Sequence, residues 1–386
     1  VPTVVVTAER IAGERRVAAT PETVGMMVAA GLDVIVESAA GAAAGFSDAA
    51  FLAAGATVDP VAPLGSADVL LHVRPVAPAV AALLKPGAVT IGLANPGAAL
   101  ASVAALRDAG TTSFALELIP RISRAQSMDA LTSQSLVAGY RCALEAATRL
   151  PRFFPLFMTA AGTVPPATVV VLGAGVAGLQ AIATAKRLGA RVSAYDVRPS
   201  SAEEVRSMGG TFLELGLDSV EGAGGYAREL TEDRAALQRE QLAPFIAKAD
   251  VLITTAALPG RRAPRLVSVE MVARMRTGSV VVDLAAETGG NVEGSIAGEV
   301  VDVPSDDGAG SVTVLGMRDP ASAMPADASR LYAKNVANLL MLMTHDGALA
   351  SDFTDEVIAQ SCFTHAGKVR HQPTADALAA GTGERS

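Results

Sequence analysis

Gly173, Gly175 and Gly178 stand in the spacing GxGxxG, between a β-branched run (Thr168 to Leu172) and a helical stretch beginning at Val176. In that setting the first glycine permits a tight turn, the second lets a phosphate approach the backbone, and the third lets helix and strand pack closely. The amides that open the helix, from Val176 on, then turn the positive end of its dipole toward the phosphates. The next strand-like run, Arg191 to Tyr195, leads into Asp196, eighteen residues beyond Gly178, where a carboxylate can accept hydrogen bonds from the adenosine ribose. A 2′-phosphate would be repelled there, which favours NAD(H). Arg198, just past Val197, keeps NADP(H) open, because an arginine nearby can accommodate that phosphate. The chemistry implied is hydride transfer at a nicotinamide ring; the competing reading is a packing turn with an incidental Asp.

Other chemistry is poorly provided for. Cys142 and Cys362 lie far apart, and although His365 follows Cys362 at a ligand-like spacing, no second pair completes a four-ligand zinc set. No metal site or disulfide is expected, and a reducing compartment fits. The net charge of −8, with no run of Lys and Arg longer than two, lacks the footprint of a nucleic-acid binder. The stretch Ala167 to Ala185 is uncharged and long enough to pass a hydropathy filter, but the glycine spacing reads it as strand, turn and buried helix. Neither membrane insertion nor a signal peptide is expected.

The elements that must position these residues follow from periodicity. The chain has 386 residues, half of them hydrophobic and few of them aromatic, which suits two α/β domains with parallel strands packed closely on helices. Val4 to Leu118 alternates β-branched runs (VVVTAE, DVIVES, DVLLHV, VTIGL, TSFALE) with Ala-rich stretches, and Thr20-Pro21 is a good helix start. The loop IPRISRAQSMD precedes a long helical pattern, about Met128 to Leu150. A second set of five strands runs from TVVVLG through RVSAYD, ADVLITT and SVVVDLA to SVTVLG. Another long helical pattern, about Ser329 to Thr344, should carry the chain back, and the tail after His371 reads as loosely ordered. The expected architecture is two Rossmann-like or flavodoxin-like domains, 1–133 plus 320–386 and 134–319, joined by two long helices with a cleft between them.

The loops add a family resemblance. RISRAQSMD (Arg121 to Asp129), with TSQS and AGYR behind it, resembles the signature loop of the NAD(H)-binding component of proton-translocating NAD(P) transhydrogenase. The resemblance extends to GERRVAATPE, AGGYA, TTAALPGRRAPRLV, VVDLAAETGGN and AKNVANLL, and so covers nearly the whole chain. It implies that Arg121, Gln126 and Asp129 contact the nicotinamide end of NAD(H), with Arg121 serving the phosphates. It also implies a hydroxyl contact from Thr132, where the family usually has Ser. Gly225 and Tyr226 would belong to a mobile loop between Leu217 and Arg234 that closes over the nucleotide, and Gln238 and the backbone at Ala257 would supply further contacts. NADP(H) would be bound by a partner subunit and protons moved by a membrane-spanning one. This chain would then be cytoplasmic, peripheral on the inner face of the cell membrane, and a homodimer.

Alanine dehydrogenases share the pattern, including an Arg at Arg16. Their reaction needs a Lys to polarise a keto acid and a His for proton transfer. Here the Lys position is Arg74, the segment that should supply the His reads TIGLANPG, and none of His72, His345, His365 and His371 occupies the acid/base position. His72, on a strand, reads as a satisfied structural residue. A noncatalytic NAD(H) sensor is the third reading; it would keep the glycine turn and Asp196 without needing the Arg121, Gln126 and Asp129 arrangement.

Overall fold

The computed structural model describes residues 1–216, 232–257 and 262–383. The chain divides into two compact units, Val1–Gln134 with Ser322–Ser386, and Ser135–Ala321. The helix Ala130–Arg149 crosses the boundary, whereas the second long helix, Pro325–Leu342, begins after the chain has re-entered the first unit and lies wholly within it.

In unit 1 the described residues form an eight-stranded sheet. From Thr3–Val6 the chain steps outward through Asp33–Glu37 to Thr57–Asp59, then crosses back to Val69–Leu71 and continues through Val89–Gly92 to Thr112–Ala115, all parallel. The order reverses between Thr3–Val6 and Val69–Leu71. Two strands beyond the five read from sequence come from the C-terminal segment, Cys362–His365 and Lys368–Val369, which add antiparallel to one edge, and Thr57–Asp59 is the third. Thr20 caps the helix Pro21–Ala29 as expected, exchanging bonds with Thr23 in a capping box. The tail departs from expectation: Gln372–Gly383 is helical, its start tied by His371 Nδ1 to Thr374 Oγ1 at 2.8 Å and its Leu378 packed on a core cluster with Leu106 and Phe363. A small polar composition hid that one apolar contact.

Unit 2 holds a seven-stranded sheet whose parallel members run, across the sheet, Thr211–Phe212, Arg191–Tyr195, Thr168–Leu172, Val251–Thr254, Val280–Asp283 and Ser311–Gly316. In chain order this is 3-2-1-4-5-6, the dinucleotide-binding form of the doubly wound fold, with the switch point between Thr168–Leu172 and Val251–Thr254. Val300–Pro304 adds one antiparallel edge strand. That edge strand and the two-residue Thr211–Phe212 escaped the periodicity reading, the first because exposed and buried positions mix along it and the second because it is too short. Before the first strand of this sheet, and within unit 2, the chain forms a hairpin, Phe157–Thr159 with Gly162–Val164. Strand residues alternate between two core layers: Val169, Val171 and Val192 face one, Val170, Leu172 and Leu252 the other. Gly139, in the AGYR motif, lets its helix press onto the glycine-turn helix, since a Cβ there would lie 2.0 Å from the Ala177 carbonyl oxygen.

Candidate functional site

The strand Thr168–Leu172 ends at the switch point, and Gly173 turns the chain with φ of +99°. A side chain on Gly178 is excluded, because its Cβ would fall 1.9 Å from the Gly173 oxygen. Gly175, which caps the helix Val176–Arg187, differs: a Cβ there meets nothing within 4 Å among the described residues. The turn therefore presents a bare, open patch of backbone at a helix N-terminus, which fits a pyrophosphate. Val176, the first helical residue, is exposed beside it.

Asp196 follows the neighbouring strand, and its buried carboxylate is already engaged. Oδ2 accepts from the Ala174 amide at 2.7 Å, which ties the acid to the glycine turn. Oδ1 accepts from the Arg198 amide at 2.9 Å and from Arg198 Nε at 3.0 Å, and Arg198 Nη2 reaches the Ala174 carbonyl at 3.3 Å. The arginine two residues on is thus the carboxylate's own partner, and charge alone discriminates against a 2′-phosphate less than the sequence suggests. Val197 between them packs on the core.

Gln238 sits on the helix Glu232–Ala247 and is buried, hydrogen-bonded to the Tyr195 hydroxyl. Burial raises the Tyr195 pKa, with the Asp196 charge adding to it and the Gln238 bond opposing it. The helix starts at Glu232, so Arg234, the expected end of the loop, is helical. Gly225 and Tyr226 lie outside the described residues. Ala257 is exposed past Val251–Thr254, and the backbone before it is clamped by Asn291, whose Oδ1 accepts from the Ala256 amide at 3.0 Å while Nδ2 donates to the Ala256 and Pro264 carbonyls at 2.8 Å. Asn291 is buried and in turn anchored through its amide to Asp283. Residue types alone do not single it out, because a lone Asn at a motif's end looks like a turn residue.

The unit 1 candidates sit on one loop. Ser123–Met128 forms a 3-10 turn, with Arg121 and Gln126 exposed and Ala125 and Met128 buried. Asp129 and Thr132 are spent on each other: Asp129 Oδ1 accepts from the Thr132 amide at 2.9 Å and Oδ2 from the Thr132 hydroxyl at 2.6 Å, an N-cap on the helix Ala130–Arg149. Thr132 is the donor in that bond and is exposed, so its oxygen can still accept one.

At the C-terminal strand ends of unit 1, Glu14 gathers the arginines of the dehydrogenase comparison. Its Oε2 accepts from Arg16 Nη2 and Arg74 Nε, each at 2.7 Å, its Oε1 from Arg16 Nε at 2.8 Å and Ser322 Oγ at 2.9 Å. Burial pushes the Glu14 carboxyl up, but the Arg16 bonds and charges outweigh it and hold the pKa at about 2. Nearby Glu9 accepts from the Val73 amide, and burial pushes it up to about 7. His72 lies just past Val69–Leu71 and is only half satisfied: Nδ1 donates to the Arg74 carbonyl at 2.7 Å while buried Nε2 has no partner among the described residues. Burial lowers it to about 4, so it is neutral at physiological pH.

Strand order, open glycine turn and acid at the next strand define a dinucleotide-binding protein of the doubly wound α/β class. Family models place it further: residues 5–138 match the alanine dehydrogenase/PNT N-terminal domain and residues 142–372 the C-terminal domain, and the chain belongs to the alanine dehydrogenase/PNT family. The first part of the NAD(P) transhydrogenase alpha subunit of Rhodospirillum rubrum is 44% identical over 375 residues, covering 94% of this chain and 96% of that one. The crystal structure of transhydrogenase from Sinorhizobium meliloti is 43% identical with a TM-score of 0.83, covering 96% of this chain and 99% of the other. Alanine dehydrogenase of Mycobacterium tuberculosis is 34% identical over 289 residues, 73% of this chain and 72% of that enzyme.

Proposed function

We propose that this chain is the NAD(H)-binding component of a proton-translocating NAD(P) transhydrogenase, passing hydride between NADH and an NADP⁺ held by a partner subunit. Gly173, Gly175, Val176 and Gly178 receive the pyrophosphate, Asp196 and Arg198 the adenosine ribose. Arg121, Gln126, Asp129 and Thr132 orient the nicotinamide end, and Gly225, Tyr226, Gln238 and Ala257 complete the nucleotide's surroundings. The dihydronicotinamide supplies the hydride when bound; the protein's role is to bind, orient and exclude water. Coupling to proton movement belongs to membrane-spanning partners in this reading; among the described residues no helix is long and apolar enough to cross a membrane. The chain then works as a homodimer on the cytoplasmic face of that membrane.

One observation carries the choice within the family. An open dinucleotide turn occurs in a chain whose residues depart from the dehydrogenase pattern: Arg74 stands at the Lys position and donates with Arg16 to Glu14, and Val89 to Gly97 contains no His. Hydride exchange between two nicotinamides moves no proton to solvent-exchangeable groups, so it needs neither a keto-acid pocket nor an acid/base residue.

The test is rapid mixing with a purified NADP(H)-binding partner. NADH and an NADP⁺ analogue should exchange hydride only when both proteins are present. Gln126→Asn should leave NADH affinity nearly unchanged and slow transfer on the order of 100-fold, the cost of about 1 Å of misplacement. Collapse of binding with unchanged transfer refutes the assigned role of Gln126, and silence from the wild type favours a sensor.

A further inference from the structure

We propose that Asn335, Asn338 and Asp355, none of which belongs to the signature loop, are positioning residues for hydride transfer, holding the Ser123–Met128 turn so that Gln126 presents one fixed geometry to the nicotinamide end. The inference rests on the function proposed above. A six-residue 3-10 turn has poor internal hydrogen bonds and needs an external hold. Asn335 Nδ2 and Asn338 Nδ2 both donate to the Ser127 carbonyl, each at 2.9 Å, and so use both of its lone pairs. Asn335 Oδ1 accepts from Ser133 Oγ at 2.7 Å, which ties the same clamp to the first turn of the helix Ala130–Arg149. On the other flank Asp355 takes both Nη atoms of Arg124, at 2.8 and 3.0 Å, while capping Glu356–Ser361 through the Val357 amide. Buried Ala125 and Met128 pin the turn from below, in the core cluster that includes Tyr332, Val336 and Leu339.

Gln126 is the contrast. Its neighbours on both sides are anchored, yet its side chain is exposed and makes no hydrogen bond among the described residues. A side chain left unengaged on a backbone held at three points is arranged to meet something outside the loop, and its precision is only as good as the clamp. This gives the AKNVANLL motif a role: Asn335 and Asn338 are its two asparagines, one turn apart on the helix face that meets the loop.

The test compares Asn338→Ala and Asp355→Ser with the wild type in the full chain plus its NADP(H)-binding partner. Serine keeps the helix cap and removes the guanidinium pair. Three readouts are taken: amide hydrogen exchange over residues 123–129 without nucleotide, NADH affinity, and the rate of hydride transfer. Expected are faster exchange confined to the turn, NADH affinity within about twofold, and transfer slowed about tenfold or more, with partial recovery in Asn338→Gln, which keeps an amide donor. Transfer at the wild-type rate in both variants overturns the inference alone. So does a loss of affinity and melting temperature as large as the loss of transfer, which marks a merely structural role. Absence of transfer in the wild type overturns the proposed function, and this inference with it.

Discussion

Asp196 and Arg198 form one hydrogen-bonded pair, and the pair sets the expected nucleotide preference. With the carboxylate in place its partner is occupied, and NADH should bind in preference to NADPH. Asp196→Ala should weaken NADH and release the guanidinium toward a 2′-phosphate, so the two affinities converge; fluorescence titration with both nucleotides measures this, and equal affinities in the wild type would refute the assignment of Asp196. Glu9 makes a second prediction. Its carboxyl is raised from 4.5 to about 7 by burial, reinforced by the Glu14 charge and opposed by the Val73 and Arg74 amides and the Arg16 charge. A raised folded-state pKa means the native protein binds the extra proton. The stabilising contribution is full below about 4.5 and is lost as the pH rises through 7. Glu9→Gln should therefore flatten the decline in urea midpoint between pH 5 and 7.5, and an identical slope in the variant would exclude Glu9 as its source. Glu14, depressed to about 2, acts in the separate acid window below its unfolded value.

At the scale of the element, the strand, glycine turn and helix from Thr168 to Arg187 separate folding from binding. Gly178→Ala drives a Cβ into the Gly173 oxygen, so it should lower the melting temperature and abolish NADH binding together. Gly175→Ala has open space, so the fold should keep its melting temperature while affinity drops about tenfold, equivalent to about 1.4 kcal/mol, because the methyl group occupies the phosphate's approach. Melting curves and NADH titrations on both variants decide it, and a Gly175→Ala protein that binds like the wild type would move the pyrophosphate elsewhere. The other glycine that matters, Gly139, belongs to packing and not to the ligand.

For the whole molecule, the family contains both an amino-acid oxidoreductase and a transhydrogenase on one fold, so architecture does not choose between them. The side chains do. With Arg74 where a lysine should polarise the keto acid, Glu14 accepting from Arg16 and Arg74, and His72 buried and neutral, the full chain should not oxidise NADH with pyruvate and ammonia. Steady turnover in that assay at roughly 1 to 1000 per second would move the protein to the dehydrogenase side of its family.

Local patterns determined a good deal by themselves. A glycine spacing, β-branched runs bounded by turn residues, and Thr20-Pro21 are short-range signals, so the parallel strands, the dinucleotide turn and the first helix cap were legible from residue types. Long-range placement was not. Nothing local says that Cys362–His365 returns to an edge begun near Thr112, that Gln372–Gly383 finds a core to pack on, or that Asn335 meets Ser127 across 208 positions of chain. Those contacts depend on which surfaces the closed fold brings together. The same holds for chemical state: Asp196 reads as an open acceptor until the turn delivers Ala174 and Arg198 to it, and only the fold shows that Glu14 lies buried between two arginines. Residue types name the groups available, and only the tertiary structure decides which of them are already spent on each other.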